Sequence, residues 1–164
     1  MKFLNYTIVC FLLMLSLGSC LVSRKSNMDF IDKASLYEDA DLVSINIPKI
    51  LLRPTIIKAL DKDEDSEQVK ALVKKVKKVR ILTLTNSGEQ AMRSFKDYSK
   101  KNNLEEWIKV KEDGSRVSIN AKSQDDKIKN LYIAVHSDKD ETVFIDVKGN
   151  FTTEDIQNII KDKK

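Results

Sequence analysis

Apolar residues recur at two different spacings along this chain, and the change separates a helix-rich first part from a strand-rich second part. Up to about residue 101, apolar positions mostly follow the i, i+3, i+4, i+7 spacing of amphipathic helices. From Glu105 onward, apolar and polar residues alternate, which is the period of a half-buried strand. The pattern therefore predicts an α+β fold.

The helical spacing predicts four helices over 28–38, 49–60, 66–78 and 87–101, and a last one that begins at Thr152 or Thr153. Pro54 is expected to kink or split the second helix, because proline lacks a backbone donor. Ser87 with Gln90 forms a capping-box pattern at the start of the fourth helix. Two β-branched stretches between the helices, Leu42–Ile47 and Val79–Thr85, are predicted strands.

The alternating part predicts a four-strand antiparallel meander with a hairpin turn at Asp113-Gly114. Its Ile and Val side must be buried, and the amphipathic helices are the available partners. The predicted architecture is a four-strand antiparallel meander plus two earlier strands, with amphipathic helices packed on one face. The positions assigned to the buried side are Ile108, Val110, Val117, Ile119, Ala121, Leu131, Ile133, Val135, Val143, Ile145 and Val147.

The N-terminus has the pattern of a secretory signal. Lys2 precedes an apolar run from Tyr6 to Leu17, and Leu17-Gly18-Ser19-Cys20 resembles the lipobox of bacterial lipoproteins, whose cysteine is acylated after cleavage. The alternative is a transmembrane anchor, but a spanning helix needs about 20 apolar residues. We therefore predict a signal peptide over 1–19, a short lipidated tether over 20–26 and a single α+β domain over 27–164.

This lipoprotein signal predicts a lipid-anchored protein of a bacterial envelope that contacts the membrane through lipidated Cys20. Residues 21–25 contain no acid, whereas surface-exported lipoproteins tend to carry an acidic export signal there, so the predicted location is the periplasm-facing side of the outer membrane. Cys10 is lost with the signal and Cys20 is acylated, which leaves no disulfide. Without Lys2 the chain has 28 basic and 25 acidic residues, a net +3, which argues against a nucleic-acid surface.

Several short motifs follow the signal in this order: Ile47-Pro48-Lys49, Val79-Arg80-Ile81-Leu82, Phe95 to Tyr98, Trp107 to Lys111 with the Asp113-Gly114 turn, and Phe144-Ile145-Asp146-Val147-Lys148-Gly149. This order resembles the DUF4252 family of small lipoproteins from Bacteroidetes. This resemblance implies an envelope lipoprotein domain, and it brings no catalytic residues to transfer.

Candidate chemistry is sparse. His136 is the single histidine, and a solvent-facing strand residue is the simpler interpretation, since no activated nucleophile accompanies it in the sequence. Asp61, Asp63 and Asp65 have the start of a calcium-loop spacing, but Ser66 replaces the required glycine, and helix capping explains the same carboxylates. The sequence thus predicts no enzyme, no cofactor and no metal site.

A lysine cluster and one sheet face remain as candidate contacts. Lys74, Lys75, Lys77 and Lys78 either complement a helix dipole or contact anionic lipid. On the side away from the predicted core, side chains are expected to form a face for an envelope protein partner, unless Trp107 is itself packed. These side chains are Trp107, Tyr132, Ala134, His136 and Phe144.

Two other functions stay open. A lipid or apolar-ligand carrier would need a cavity between sheet and helices lined by Phe95, Tyr98 and Phe144. A hydrolase would need a polar cluster around His136.

Overall fold

The structure, a computed structural model, describes residues 21–32, 40–52, 54, 66–112, 114–125 and 127–156. In this part seven strands form one sheet in which every neighbouring pair is antiparallel. Across the sheet their order is β1-β2-β3-β7-β6-β5-β4. The strands are β1 (Val22–Ser23), β2 (Asp41–Pro48), β3 (Val76–Thr85), β4 (Glu105–Glu112), β5 (Ser115–Gln124), β6 (Lys127–His136) and β7 (Thr142–Phe151).

Helices pack on both faces of this sheet. The longer ones in the described part are α1 (Ser66–Lys75) and α2 (Gly88–Lys101), and residues 49–52, 54 and 153–156 are also helical. The predicted α+β class is correct. The predicted detail differs in two ways, because β1 adds a third strand before the meander and because α1 and α2 contact opposite faces.

The face under α2 carries the aromatic core. Ala91 and Phe95 lie four residues apart on α2 and are buried, as the sequence pattern predicts, and Tyr98 packs beside them. Phe95 contacts Phe30 and Phe144, with ring centroids 5.0 Å and 5.5 Å away. Burial of each large apolar side chain contributes about 1.5–3 kcal/mol, and tilted aromatic pairs add about 0.5–1.5 kcal/mol. This cluster fixes α2 across β6 and β7.

The opposite face carries two continuous apolar rows, because the strand register aligns β-branched residues across the sheet. We call the first the isoleucine row: Val22, Ile45, Ile81, Ile145, Ile133, Ile119 and Ile108. We call the second the valine row: Val43, Thr83, Val143, Val135, Val117 and Val110. In the described structure these side chains are half-buried or exposed, and none belongs to either core cluster or packs against one.

A second, smaller core covers one end of that same face. Leu72 of α1 and Leu52 pack there against Val76, Leu131 and the fully buried Phe151. This core covers the sheet positions beside the isoleucine row and leaves the two rows uncovered by the described helices.

The predicted outer face is wrong. Tyr132, His136 and Phe144 are buried, at 4%, 5% and 2% exposure, and Ala134 is fully buried, so all four lie under α2. Trp107 is half-buried and packs on the second core, on the other side of the sheet. The physical reason is volume, since the aromatic side chains fill the space beneath α2 and the smaller Ile and Val side chains face away.

Several local predictions also have outcomes. Residues 28–32 form turns rather than helix, and 33–38 and 55–60 lie outside the described residues. Ser87 makes no side-chain capping bond, and the Asp140 carboxylate instead accepts the Gly88 N–H at 2.9 Å. Thr152 does cap the next turn, because its hydroxyl accepts the Asp155 N–H at 3.2 Å and the Asp155 carboxylate accepts the Thr152 N–H at 2.7 Å.

Among the described residues, none of the helices is both long and apolar enough to span a bilayer. The signal segment, Cys20 and the aspartates of 61–65 lie outside the described residues.

Candidate functional site

An open groove lies between α2 and the β4–β5 edge of the sheet, with a volume of about 780 Å³. We call it the α2–β4 groove. It forms because α2 is fixed over β6 and β7 by its aromatic contacts, whereas β4 and β5 extend the sheet beyond the helix. The result is an edge of the helix-covered face that α2 does not fill.

The groove has an apolar floor and a basic rim. Six basic and two acidic side chains line it, an excess of four positive charges. The apolar floor comes from Met92, Phe95 and Leu104. The charged residues are Arg93, Lys96, Lys100, Lys109, Lys111 and Arg116, with Glu89 and Glu106.

The floor also holds a buried polar side chain. Asn120 is 5% exposed, and its Oδ1 has no hydrogen-bond partner in the described structure. Neighbouring Ser118 and Ser99 are nearly as buried, and the Ser99 hydroxyl donates to the Phe95 carbonyl at 2.8 Å. A buried amide oxygen without a partner costs about 1–3 kcal/mol. Asn120 is therefore placed to accept a hydrogen bond from a bound molecule.

A polar cleft of about 480 Å³ continues the groove at the start of α2. Glu89, Lys111 and Arg116 line both spaces, which makes the two continuous. Arg116 donates to the Glu89 carboxylate in a close ion pair, and this bond is the main cause that holds the pKa of Glu89 below its usual value. Asp138 and Asp140 form the far wall.

His136 lies at the inner end of this cleft and is buried, so the prediction of a solvent-facing histidine is wrong. Its Nδ1 is 2.7 Å from the Thr142 hydroxyl, and its Nε2 is 3.5 Å from the Glu89 carboxylate. This is the hydroxyl–imidazole–carboxylate sequence that nucleophilic hydrolases use. Thr142, however, is fully buried, so a substrate carbonyl has no path to its oxygen.

Gly88 explains how tightly this end is packed. A Cβ at Gly88 would lie 2.3 Å from the Thr142 hydroxyl and 2.7 Å from the His136 ring. The first turn of α2 thus rests directly on the histidine and threonine. This close contact fixes α2 on the sheet. The side chains that a ligand can reach are those of the groove.

The other predicted contact, the lysine cluster, is divided by the fold. Because α1 ends at Lys75, Lys77 and Lys78 belong to β3 and do not extend the helix. The Lys75 ammonium lies 2.6 Å from both oxygens of Asp155. Partial burial of Asp155 opposes ionisation, but the bond from Lys75 and the Thr152 cap lower the pKa of this carboxyl. Lys74, Lys77 and Lys78 are exposed.

Sequence reasoning missed the groove, although its basic rim leaves a signal in the sequence. Arg93, Lys96 and Lys100 recur at helical spacing beside the buried stripe of α2, and Lys109 and Lys111 alternate on one side of β4. Each set alone is typical of a solvated surface. No group of three His, Cys, Asp or Glu side chains suited to a metal ion occurs among the described residues.

Comparison with known protein families supports the resemblance that the short motifs carry. Residues 36–159 match the family described as Domain of unknown function (DUF4252). The match covers most of the chain, so the chain belongs to the DUF4252 family, as its motifs predict. No curated protein and no solved structure matches it.

Proposed function

We propose that this chain is an envelope lipoprotein whose domain binds, without catalysis, an amphiphilic ligand that has an apolar chain and an acidic group. Acylated Cys20 would anchor the domain at the periplasmic face of the outer membrane. The ligand would occupy the α2–β4 groove, with its chain on the floor and its acidic group at the basic rim.

The groove itself carries this proposal. Ligand sites are typically clefts of about 300–1,000 Å³ with apolar walls and a few placed polar groups. The groove, at about 780 Å³, has an apolar floor and an excess of four positive charges. Phe95 lines it as the carrier hypothesis expects, whereas Tyr98 and Phe144 lie in the core instead.

Burial of the Thr142 hydroxyl favours ligand binding over hydrolysis as the function. A nucleophile must reach the reacting carbonyl, and Thr142 is fully enclosed by β6, β7 and the first turn of α2. The His136–Thr142 contact instead satisfies two buried polar groups, which would otherwise each cost about 1–3 kcal/mol.

Titration of the mature chain with a fluorescent C16 fatty acid and with the matching fatty alcohol tests the proposal. We expect saturable binding of the acid, weaker binding of the alcohol, and loss of both in Met92→Trp, which fills the floor. Lys96→Gln with Lys100→Gln should weaken acid binding about five- to tenfold and leave alcohol binding unchanged, at about 0.5–0.7 kcal/mol per exposed cation.

The matched control is Lys139→Gln, an exposed lysine in the β6–β7 turn that lies outside the groove. It should bind both probes as the parent chain does. Equal affinity of the parent and Met92→Trp for the acid would contradict the assignment of this groove.

A further inference from the structure

The isoleucine and valine rows form a charge-free apolar surface. Of their thirteen members only Thr83 is polar, and none is charged. With strands spaced about 4.8 Å apart, the seven-member isoleucine row is about 29 Å long and the six-member valine row about 24 Å long. Val22, Val43 and Val110 are 52%, 38% and 45% exposed, and the other members are half-buried. Apolar patches of a few hundred Å² are often contact sites for membranes or other proteins.

The isoleucine row begins beside the predicted anchor. Val22, its first member, is 52% exposed on edge strand β1 and lies two residues after Cys20. Two residues of chain span at most about 7 Å. Acyl chains on Cys20 would therefore enter the bilayer within one side-chain length of the edge of this surface.

We infer that the isoleucine and valine rows rest on the membrane to which Cys20 anchors the chain, so that the sheet lies along the bilayer surface. The inference rests on the anchoring part of the proposed function and is independent of the groove. In this orientation α2 points away from the membrane, since it lies on the opposite face. The α2–β4 groove opens between α2 and the sheet edge, where Val110 and Val117 of the valine row also line it.

The area of the two rows favours a membrane over a second copy of the chain as the occupant. At about 7 Å wide, the isoleucine row of about 29 Å and the valine row of about 24 Å together present about 370 Å². A stable protein–protein interface needs about 800 Å² from each partner. A membrane contact needs less, because the anchor holds the surface beside the bilayer at high effective concentration.

The chain supplies its own probes for a test. Cys20 is the one cysteine of the mature chain, so its thiol can be coupled to a maleimide phospholipid in nanodiscs that also contain a nitroxide-labelled lipid. Isoleucine δ1-methyl NMR then reports distance from the membrane. All six isoleucines of the row should lose most of their intensity, whereas Ile31, buried on the α2 face, should keep most of it.

Variants distinguish the outcomes. Ile133→Thr with Ile145→Thr, a pair opposite each other in the register, should restore the remaining methyl signals and keep the parent melting temperature within a few degrees. Ile50→Thr, at an apolar position 79% exposed and outside both rows, should change neither.

Three results would overturn the inference. Broadening confined to Ile45 would mean an upright domain that touches the bilayer only at its β1 edge. Concentration-dependent dimers without membrane that the double variant abolishes would identify a second copy as the occupant. Unfolding of the double variant would show that the chain itself covers the rows. Groove binding is measured without membrane, and acylation by metabolic labelling, so a failure of either is distinguishable from these results.

Discussion

Arg80 and Asp146 form an ion pair inside the sheet, where the Asp146 Oδ2 lies 2.8 Å from Nε and 2.6 Å from Nη2 of the guanidinium. The two residues are opposite each other on β3 and β7. Asn130 donates to the second carboxylate oxygen at 2.8 Å, and Arg80 also donates to the Asn27 carbonyl. Burial disfavours the charged guanidinium, but the hydrogen bond and charge of Asp146 outweigh it and raise the pKa of Arg80.

Removal of one partner of this pair should lower the free energy of unfolding much more than removal of both partners. Arg80→Met or Asp146→Leu alone leaves a buried charge, and each should cost about 3–5 kcal/mol of the free energy of unfolding. The double variant should lose much less than the sum. Urea denaturation of the four chains measures this coupling, and additive losses would contradict a coupled pair.

Tyr132 should make the fold sensitive to alkaline pH. Burial is the main cause that raises the pKa of its phenol, and the hydrogen bond with Tyr98 at 3.2 Å adds to it. The fold therefore favours the neutral phenol. The contribution of Tyr132 to the free energy of unfolding is fully present below pH 10, the pKa of the phenol in the unfolded chain. It falls by up to about 1.4 kcal/mol per pH unit as the pH rises above that value.

Tyr132→Phe should remove this loss. Its free energy of unfolding should fall less steeply than that of the parent between pH 10 and 11, measured by urea denaturation. Tyr98→Phe is the matched control, because it also breaks the hydroxyl contact but keeps the buried phenol of Tyr132. Parallel slopes for the parent and Tyr132→Phe would contradict the assignment.

Local patterns predicted most elements but not the orientation of the sheet. Ala91, Phe95 and Tyr98 identify the inner side of α2 because no other helical face there is apolar. In β6, however, Tyr132 and Ile133 are both apolar, so alternation is equally compatible with either side facing the core. The volume available beneath α2 determines which side of β6 faces the core, and that volume is set by residues distant in sequence.

The groove was not predictable for a related reason. Arg93 and Lys109 belong to different elements, and they line one space only because β4 occupies the sheet edge next to β5. Arg80 likewise follows the lysine cluster in the sequence, and only the pairing of β3 with β7 brings Asp146 beside it. Edge order and long-range register were the missing information in both cases.

Gly88 should tolerate no side chain. A Cβ there would approach the Thr142 hydroxyl, Asp140 and the His136 ring at 2.7 Å or less, so α2 would have to shift away from the sheet. Gly88→Ala should lower the free energy of unfolding by about 1–3 kcal/mol, as overpacking does. Asp97→Ala, on the exposed side of α2, should stay within about 0.5 kcal/mol. Equal stability of the two variants in urea would show that the contact relaxes freely.

Cys20 should be acylated in cells, since small residues and a short apolar core precede it. Metabolic labelling with an alkyne fatty acid should mark the parent chain and Cys10→Ala, because Cys10 lies in the segment removed at cleavage. Cys20→Ala should lose the label and leave the membrane fraction, since about 0.8 kcal/mol per buried CH₂ is lost with the acyl chains. Equal labelling of Cys20→Ala would refute the anchor.

Protease added to whole cells should spare the chain if it faces the periplasm, and digestion would place it on the surface.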